Sequence, residues 1–241
     1  MPLTDGPSET VMGDIVFGRK GDTVYGGKTV NYGSAPPPAA RPVPARGTIL
    51  LLSANADDQR QLALDQERRA IDQEVAHSRA AGRLDVRTAD ALRLDDLQRV
   101  LLRHRPVLAH FSGHGHPRDG IQVVGRDGWP RSVPPRALRD LFAILGEGLR
   151  CVVLNACHTD EQAEAIAAHV PCVVGMRRQV FDDTAILFAT GFYRGLADGR
   201  SFRTSFELAR NGLDLHDAPD PDVPRLIARA GAADRPLVDL R

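Results

Sequence analysis

From residue 48 onward, short β-rich apolar runs alternate with segments of helical patterning, and no other feature of this sequence restricts its fold so tightly. The runs are TILLLSA (48–54), LDVRTA (84–89), PVLAHFSG (106–113), RCVVLNA (150–156) and PCVVGM (171–176). Short apolar runs bounded by turn residues are expected as parallel strands buried on both faces. Between them, residues 58–81 carry Leu62, Ala63, Ile71 and Val75 at helical spacings and end at Gly82. Residues 93–104 read as a helix stopped before Pro106, and residues 135–145 as one opening on a proline, where a missing N–H is harmless. Further helices are expected over 161–169, 182–197 and 201–213, with a strand or hairpin insertion at IQVV (121–124) and WPRSV (129–133). This order predicts an α/β fold, a mostly parallel sheet sandwiched by helices.

The two ends of the chain differ from this pattern. GDIVFGRK (13–20) is followed at once by GDTVYGGK (21–28), a repeat with too few copies to stack into a repeat fold. APPPAARPVPARG (35–47) is a stiff linker that cannot join a sheet. Residues 1–46 are therefore expected to be a flexible, proline-rich arm, 47–216 the folded domain, and 217–241, which opens on the acidic, proline-containing stretch around DAPDPDVPRL, a peripheral segment. A hydrophobic content of 42% suffices for a sizeable core, and 31 basic residues balance 31 acidic ones. That balance gives no electrostatic reason to expect nucleic acid or an acidic membrane as partner. No apolar run approaches the ~18 residues of a membrane helix, and the opening MPLTDGPSETVMGD lacks the basic and apolar regions of a secretory signal. The 3 cysteines include no CxxC pair, which argues against a disulfide framework and for a reducing cytoplasm.

In parallel sheets, ligands bind beyond the carboxyl ends of the strands. SGHGH follows the third expected strand and NACHTD the fourth, so His114 and Cys157 leave the sheet at one edge. A cysteine nucleophile needs a thiolate, which a neighbouring imidazolium stabilises. It also needs donors for the oxyanion formed when a carbonyl is attacked. Gly113 and Gly115 flank His114 and permit close backbone approach by a peptide. The N–H groups of Gly115 and Cys157 are the natural donors. A metal site is the alternative for His110, His114 and His116, but side chains alternating along one strand and turn do not obviously converge on one ion. No metal or other cofactor is expected. Cys151 and Cys172, set among strand valines or beside Pro171, read as inert buried thiols. His110 is expected against the sheet interior or a helix, and His116 and His158 on the surface.

A strand ending in SGHG, followed later by a strand ending in NACH, resembles the His…Cys arrangement of caspase-like peptidases. More narrowly, HFSGHG, VVLNACHTDEQAEAIA, VPCVVGM and DDTAILFATGFYRGLADGRSFRTSFELAR, in this order from about residue 48 to residue 215, resemble the bacterial CHAT domain. The resemblance implies that Cys157 is the nucleophile, His114 the general base, and the Gly115 and Cys157 N–H groups the oxyanion hole of a thiol protease. It also implies protein or peptide substrates and a setting in bacterial defence or regulated proteolysis. CHAT proteins often carry sensor modules, and none is legible here, so a separate regulatory or sensor protein is expected. In caspase-like folds the first specificity pocket is built from loops that here hold SANADD and RRQVFDD. Asp57, Asp58, Asp182 and Asp183 are placed either to receive a basic side chain or to cap helices, while Arg177 and Arg178 argue for an acidic one. Two rival readings stay open: a catalytically silent CHAT-like interaction module, and a flavodoxin-like nucleotide binder. The latter is disfavoured because SANADDQ lacks a glycine-rich phosphate loop.

Overall fold

The structure is a computed structural model that describes residues 46–56 and 61–240. The eight-residue repeat of the N-terminal arm, Asp57 and Asp58 lie outside the described residues. The chain runs β1 (Gly47–Ala54), α1 (Leu64–Ala76), β2 (Leu84–Ala89), α2 (Leu97–His104), β3 (Leu108–Gly113), β4 (Gly115–His116), β5 (Gly120–Val124) and β6 (Pro130–Ser132). It continues through α3 (Pro135–Leu145), β7 (Cys151–Asn155), α4 (Asp160–Ala167), β8 (Cys172–Met176), α5 (Asp182–Ala197), α6 (Phe202–Leu215) and β9 (Pro224–Ala228). The main sheet has the order β2-β1-β3-β7-β8-β9. Its first five strands are parallel, and β9 pairs antiparallel with β8. The insertion after β3 is a small antiparallel sheet, β4-β5-β6.

Strand pleating explains the unbroken apolar runs. In β1, Ile49 and Leu51 enter a core layer with α1, α5 and α6, whereas Leu50 and Leu52 enter the opposite layer with α2, α3 and α4. In β7, Cys151 and Val153 take the first layer and Val152 and Leu154 the second. With both faces covered, each such side chain contributes about 1.5–3 kcal/mol of transfer free energy, so every second position must be as apolar as its neighbours. Helix ends follow local chemistry. Pro135 opens α3, the Ser201 hydroxyl caps α6 by accepting from the Thr204 N–H at 3.1 Å, and α2 stops at Arg105, which has a left-handed φ of 40° ahead of Pro106.

Two boundaries differ from the sequence expectation. The first helix begins at Leu64 rather than near residue 58. Residues 224–228, expected within a peripheral segment, form an edge strand, with Pro224 at its first position, where no ladder donor is lost. Proline and aspartate crowd the approach to this strand and hide its short apolar core in the sequence. Among the described residues, no helix is long and apolar enough to cross a membrane.

Candidate active site

Strand register brings the two motifs together. β3 and β7 are parallel neighbours, with Ser112 opposite Asn155. His114 lies two residues beyond Ser112, and Cys157 two beyond Asn155, so both leave the sheet at the same level and the same edge. Gly115 then passes directly over the Cys157 backbone. A Cβ at position 115 would lie 1.8 Å from the Cys157 carbonyl oxygen and 2.9 Å from its nitrogen. Gly113 is nearly as confined, because a Cβ there would meet the Ala54 carbonyl at 2.8 Å. Glycine at both positions is thus a requirement of backbone approach.

The turn carrying Cys157 is fixed by residues that sequence reasoning did not single out. Thr159 is fully buried, and its hydroxyl hydrogen is shared between the carbonyls of Leu154 at 3.1 Å and Ala156 at 3.0 Å. The same oxygen accepts from the Met176 N–H at 3.0 Å, so one side chain ties the turn to the ends of both β7 and β8. Gln162, in the helix after Cys157, receives the Ile121 N–H at 2.8 Å and donates to the Val133 carbonyl at 2.5 Å. It thereby anchors the hairpin that follows His114 to the helix that follows Cys157. Both residues lie inside the TDEQ stretch after the cysteine. A threonine before an acidic helix start reads as an ordinary N-cap, but the Thr159 side chain makes no capping bond to its own helix. That ambiguity concealed its role.

Cys157 is half-buried, and its sulfur lies against the backbone of Val180, whose N–H donates to Sγ at 3.4 Å. The thiol in turn reaches the Val180 carbonyl at 3.7 Å. The segment that bears Val180 is itself strapped down. Arg178 donates to Asp222 at 2.8 Å and Asp220 at 2.9 Å, and these hydrogen bonds hold its guanidinium well above the ordinary arginine range. Arg177 donates to the Asp222 carbonyl at 3.3 Å. The arginine pair is therefore already engaged by the segment ahead of β9. Of the four aspartates proposed for substrate binding, Asp182 accepts the Ala63 N–H at 2.9 Å and so caps the approach to α1. Asp183 is exposed in the first turn of α5, and Asp57 and Asp58 lie outside the described residues.

The other two cysteines occupy a different environment. Cys151 and Cys172 are fully buried in adjacent strands. Burial pushes the Cys151 thiol well up, with the neighbouring Cys172 adding to it, and pushes Cys172 up to about 11. At neutral pH both remain thiols, which neither attack carbonyls nor alkylate readily. Brief iodoacetamide treatment of the folded protein at pH 7 is therefore expected to modify Cys157 alone. Intact-mass and peptide mapping would detect this, and all three should label in denaturant.

The three histidines of HFSGHGH separate. His110 is fully buried, with Nδ1 3.0 Å from the Tyr193 hydroxyl and Nε2 3.0 Å from Glu67. His114 sits at the sheet edge, and its carbonyl accepts from the Gln122 N–H at 3.0 Å. His116 pairs with Asp119 at 3.0 Å on the surface. Among the described residues, no group of three histidine, cysteine or carboxylate side chains is arranged to hold a metal ion. His158, half-buried, has a left-handed φ of 55°, which sharpens the turn immediately after Cys157.

Over 169 residues the chain is 19% identical to a "probable protease" of Gillisia limnaea, covering 68% of this chain and 29% of that protein. It thus spans less than a third of that relative's length. Among solved structures, the Arg-specific cysteine proteinase gingipain R superposes with a TM-score of 0.55 at 12% identity, over 79% of this chain and 48% of that one. That likeness supports the α/β fold. Caspase-1 from Spodoptera frugiperda superposes with a TM-score of 0.48 at 12% identity, over 81% of this chain and 94% of that one. The CHAT domain model matches residues 29–222, which takes in both strand-end motifs, the Val180 segment and both helices that follow it. On a match of that extent, the chain belongs to the CHAT domain family.

Proposed function

We propose that this chain is a cysteine endopeptidase in which Cys157 attacks the scissile carbonyl and His114 manages the protons. The observation that carries this reading is the contact of Gly115 with the Cys157 backbone, because it joins the two strand-end motifs into one site at the sheet edge. His114 takes the Cys157 proton, and the thiolate forms a tetrahedral intermediate. The N–H groups of Gly115 and Cys157 face the developing oxyanion. Among the described residues, the Cys157 N–H donates to no other acceptor, which suits it to that task. Collapse of the intermediate breaks the C–N bond as His114 protonates the leaving amine, and water activated by the same imidazole then hydrolyses the thioester. The protease name of the Gillisia limnaea relative favours the same chemistry.

The substrates are read as protein segments lying across the 177–183 stretch. There Arg178 is neutralised by Asp220 and Asp222 while Asp183 stays exposed, which favours a basic over an acidic side chain beside the cleaved bond. A cytoplasmic role in bacterial defence or regulated proteolysis, under a separate regulatory protein, completes the reading. It rests on the family resemblance. A peptide probe with a thiol-reactive warhead tests the site directly. It should label Cys157 in the wild type and fail to do so in His114→Ala. Equal labelling of both would remove His114 from the mechanism and favour a silent interaction module.

A further inference from the structure

Beneath the site, four polar side chains meet in the core. Glu67 on α1, His110 on β3, Asn155 on β7 and Tyr193 on α5 are each at most 4% exposed. The Glu67 carboxylate oxygen receives His110 Nε2–H at 3.0 Å and also an Asn155 Nδ2–H. Asn155 Nδ2 donates in addition to the Ala185 carbonyl on α5 at 3.1 Å. A carboxylate only accepts, so an Nε2–H faces Glu67, while Nδ1 lies 3.0 Å from the Tyr193 hydroxyl, a group able to donate or accept. Burial pushes the Tyr193 phenol well up, which keeps its proton on the oxygen.

Such a cluster is costly. Buried charged and polar groups seldom stabilise a fold more than apolar side chains of equal volume would, and among the described residues the Asn155 Oδ1 has no hydrogen-bond partner. Placement gives the cluster a use. The two groups that donate to Glu67 belong to the two strands that bear the proposed dyad, with His110 four residues before His114 and Asn155 two before Cys157.

We propose that Glu67 is a positioning residue whose carboxylate bridges β3 and β7 and sets the spacing of His114 and Cys157. The inference rests on the dyad proposed above. In that role Glu67 touches no reacting atom. It fixes the relative height of two strand ends, where a displacement near 1 Å costs about 100-fold in rate.

The test compares Glu67→Gln with Glu67→Met in the full chain. Both approximate the volume of glutamate, but only glutamine keeps an oxygen to accept from His110 and Asn155. Two readouts are followed beside melting temperature: kcat and KM on a cleaved peptide, and the iodoacetamide alkylation rate of Cys157 at pH 7, which needs no turnover. Glu67→Gln should hold both near wild type. Glu67→Met, folded, should lose about 100-fold in kcat with KM little changed, and alkylate more slowly. Should Glu67→Met not fold, Glu67→Leu/His110→Phe/Asn155→Leu/Tyr193→Phe supplies the comparison, because it leaves no polar member of the cluster stranded. A folded variant without the acceptor that keeps wild-type rates overturns the proposal. So does failure of both variants to fold, since the cluster would then serve folding itself. Alkylation of His114→Ala separates the two claims. If that rate equals wild type, the dyad fails; if it falls while the Glu67 variants keep theirs, only the bridge fails.

Discussion

Gly115→Ala is expected to eliminate most peptide-cleaving activity while leaving the six-stranded sheet folded. The added methyl would sit 1.8 Å from the Cys157 carbonyl oxygen, 2.8 Å from its carbonyl carbon and 2.9 Å from its nitrogen. All three are backbone atoms of the proposed nucleophile, and none can swing aside as a flexible side chain would. The clash is relieved only by parting the loop after β3 from the turn after β7. That displaces His114 and both oxyanion donors together, at a cost of about 100-fold or more in kcat. The stability penalty should stay near the 1–3 kcal/mol usual for overpacking, because the collision lies at the sheet edge and the core layers do not share it. Gly212→Ala in α6 is the matched control. Among the described residues, no atom outside the local helix backbone lies within 4 Å of a Cβ at that position, so activity should be unchanged and stability should rise by about 0.4–1 kcal/mol. Steady-state kinetics and thermal melts of the two variants check both statements. A Gly115→Ala protein of wild-type activity would mean that the two loops do not act as one site.

Much of this site could be read from residue order. The central parallel strands β1, β3, β7 and β8 announce themselves because burial on both faces forces nearly unbroken apolar runs, and the rule that sites form beyond the carboxyl ends of such strands then points to His114 and Cys157 as candidates. The inertness of Cys151 and Cys172 was equally legible from their valine neighbours. Long-range hydrogen bonding was not. His110 was expected to turn inward, but its partners Glu67 and Tyr193 lie 43 and 83 residues away in sequence on amphipathic helices, where a glutamate on the buried face looks like any charged residue. Asp182 shows the same limit. Beside a helix start it reads as a cap for α5 or a pocket carboxylate, yet it serves the N–H of Ala63, 119 residues earlier. Arg178 gave no sign of its commitment to Asp220 and Asp222, because nothing local links a loop after β8 to the turn ahead of β9. Local pattern encodes elements and their edges. Pairings that close over long stretches of chain leave only generic polar residues behind.

Cleavage of a positional-scanning fluorogenic peptide library by wild type, Cys157→Ala, His114→Ala and His116→Ala tests the Cys157–His114 dyad most directly. Cys157→Ala removes the only atom proposed to bond the substrate, so turnover should fall to the uncatalysed background. His114→Ala removes both the base and the acid, and a loss of about 10²–10⁴-fold is expected. His116 pairs with Asp119 on the surface, so His116→Ala should leave the rate unchanged. The preferred residue beside the cleaved bond should be basic, given an exposed Asp183 and a neutralised Arg178. Activity that vanishes with Cys157 and His114 and persists without His116 is the result expected. Full cleavage by Cys157→Ala would contradict it.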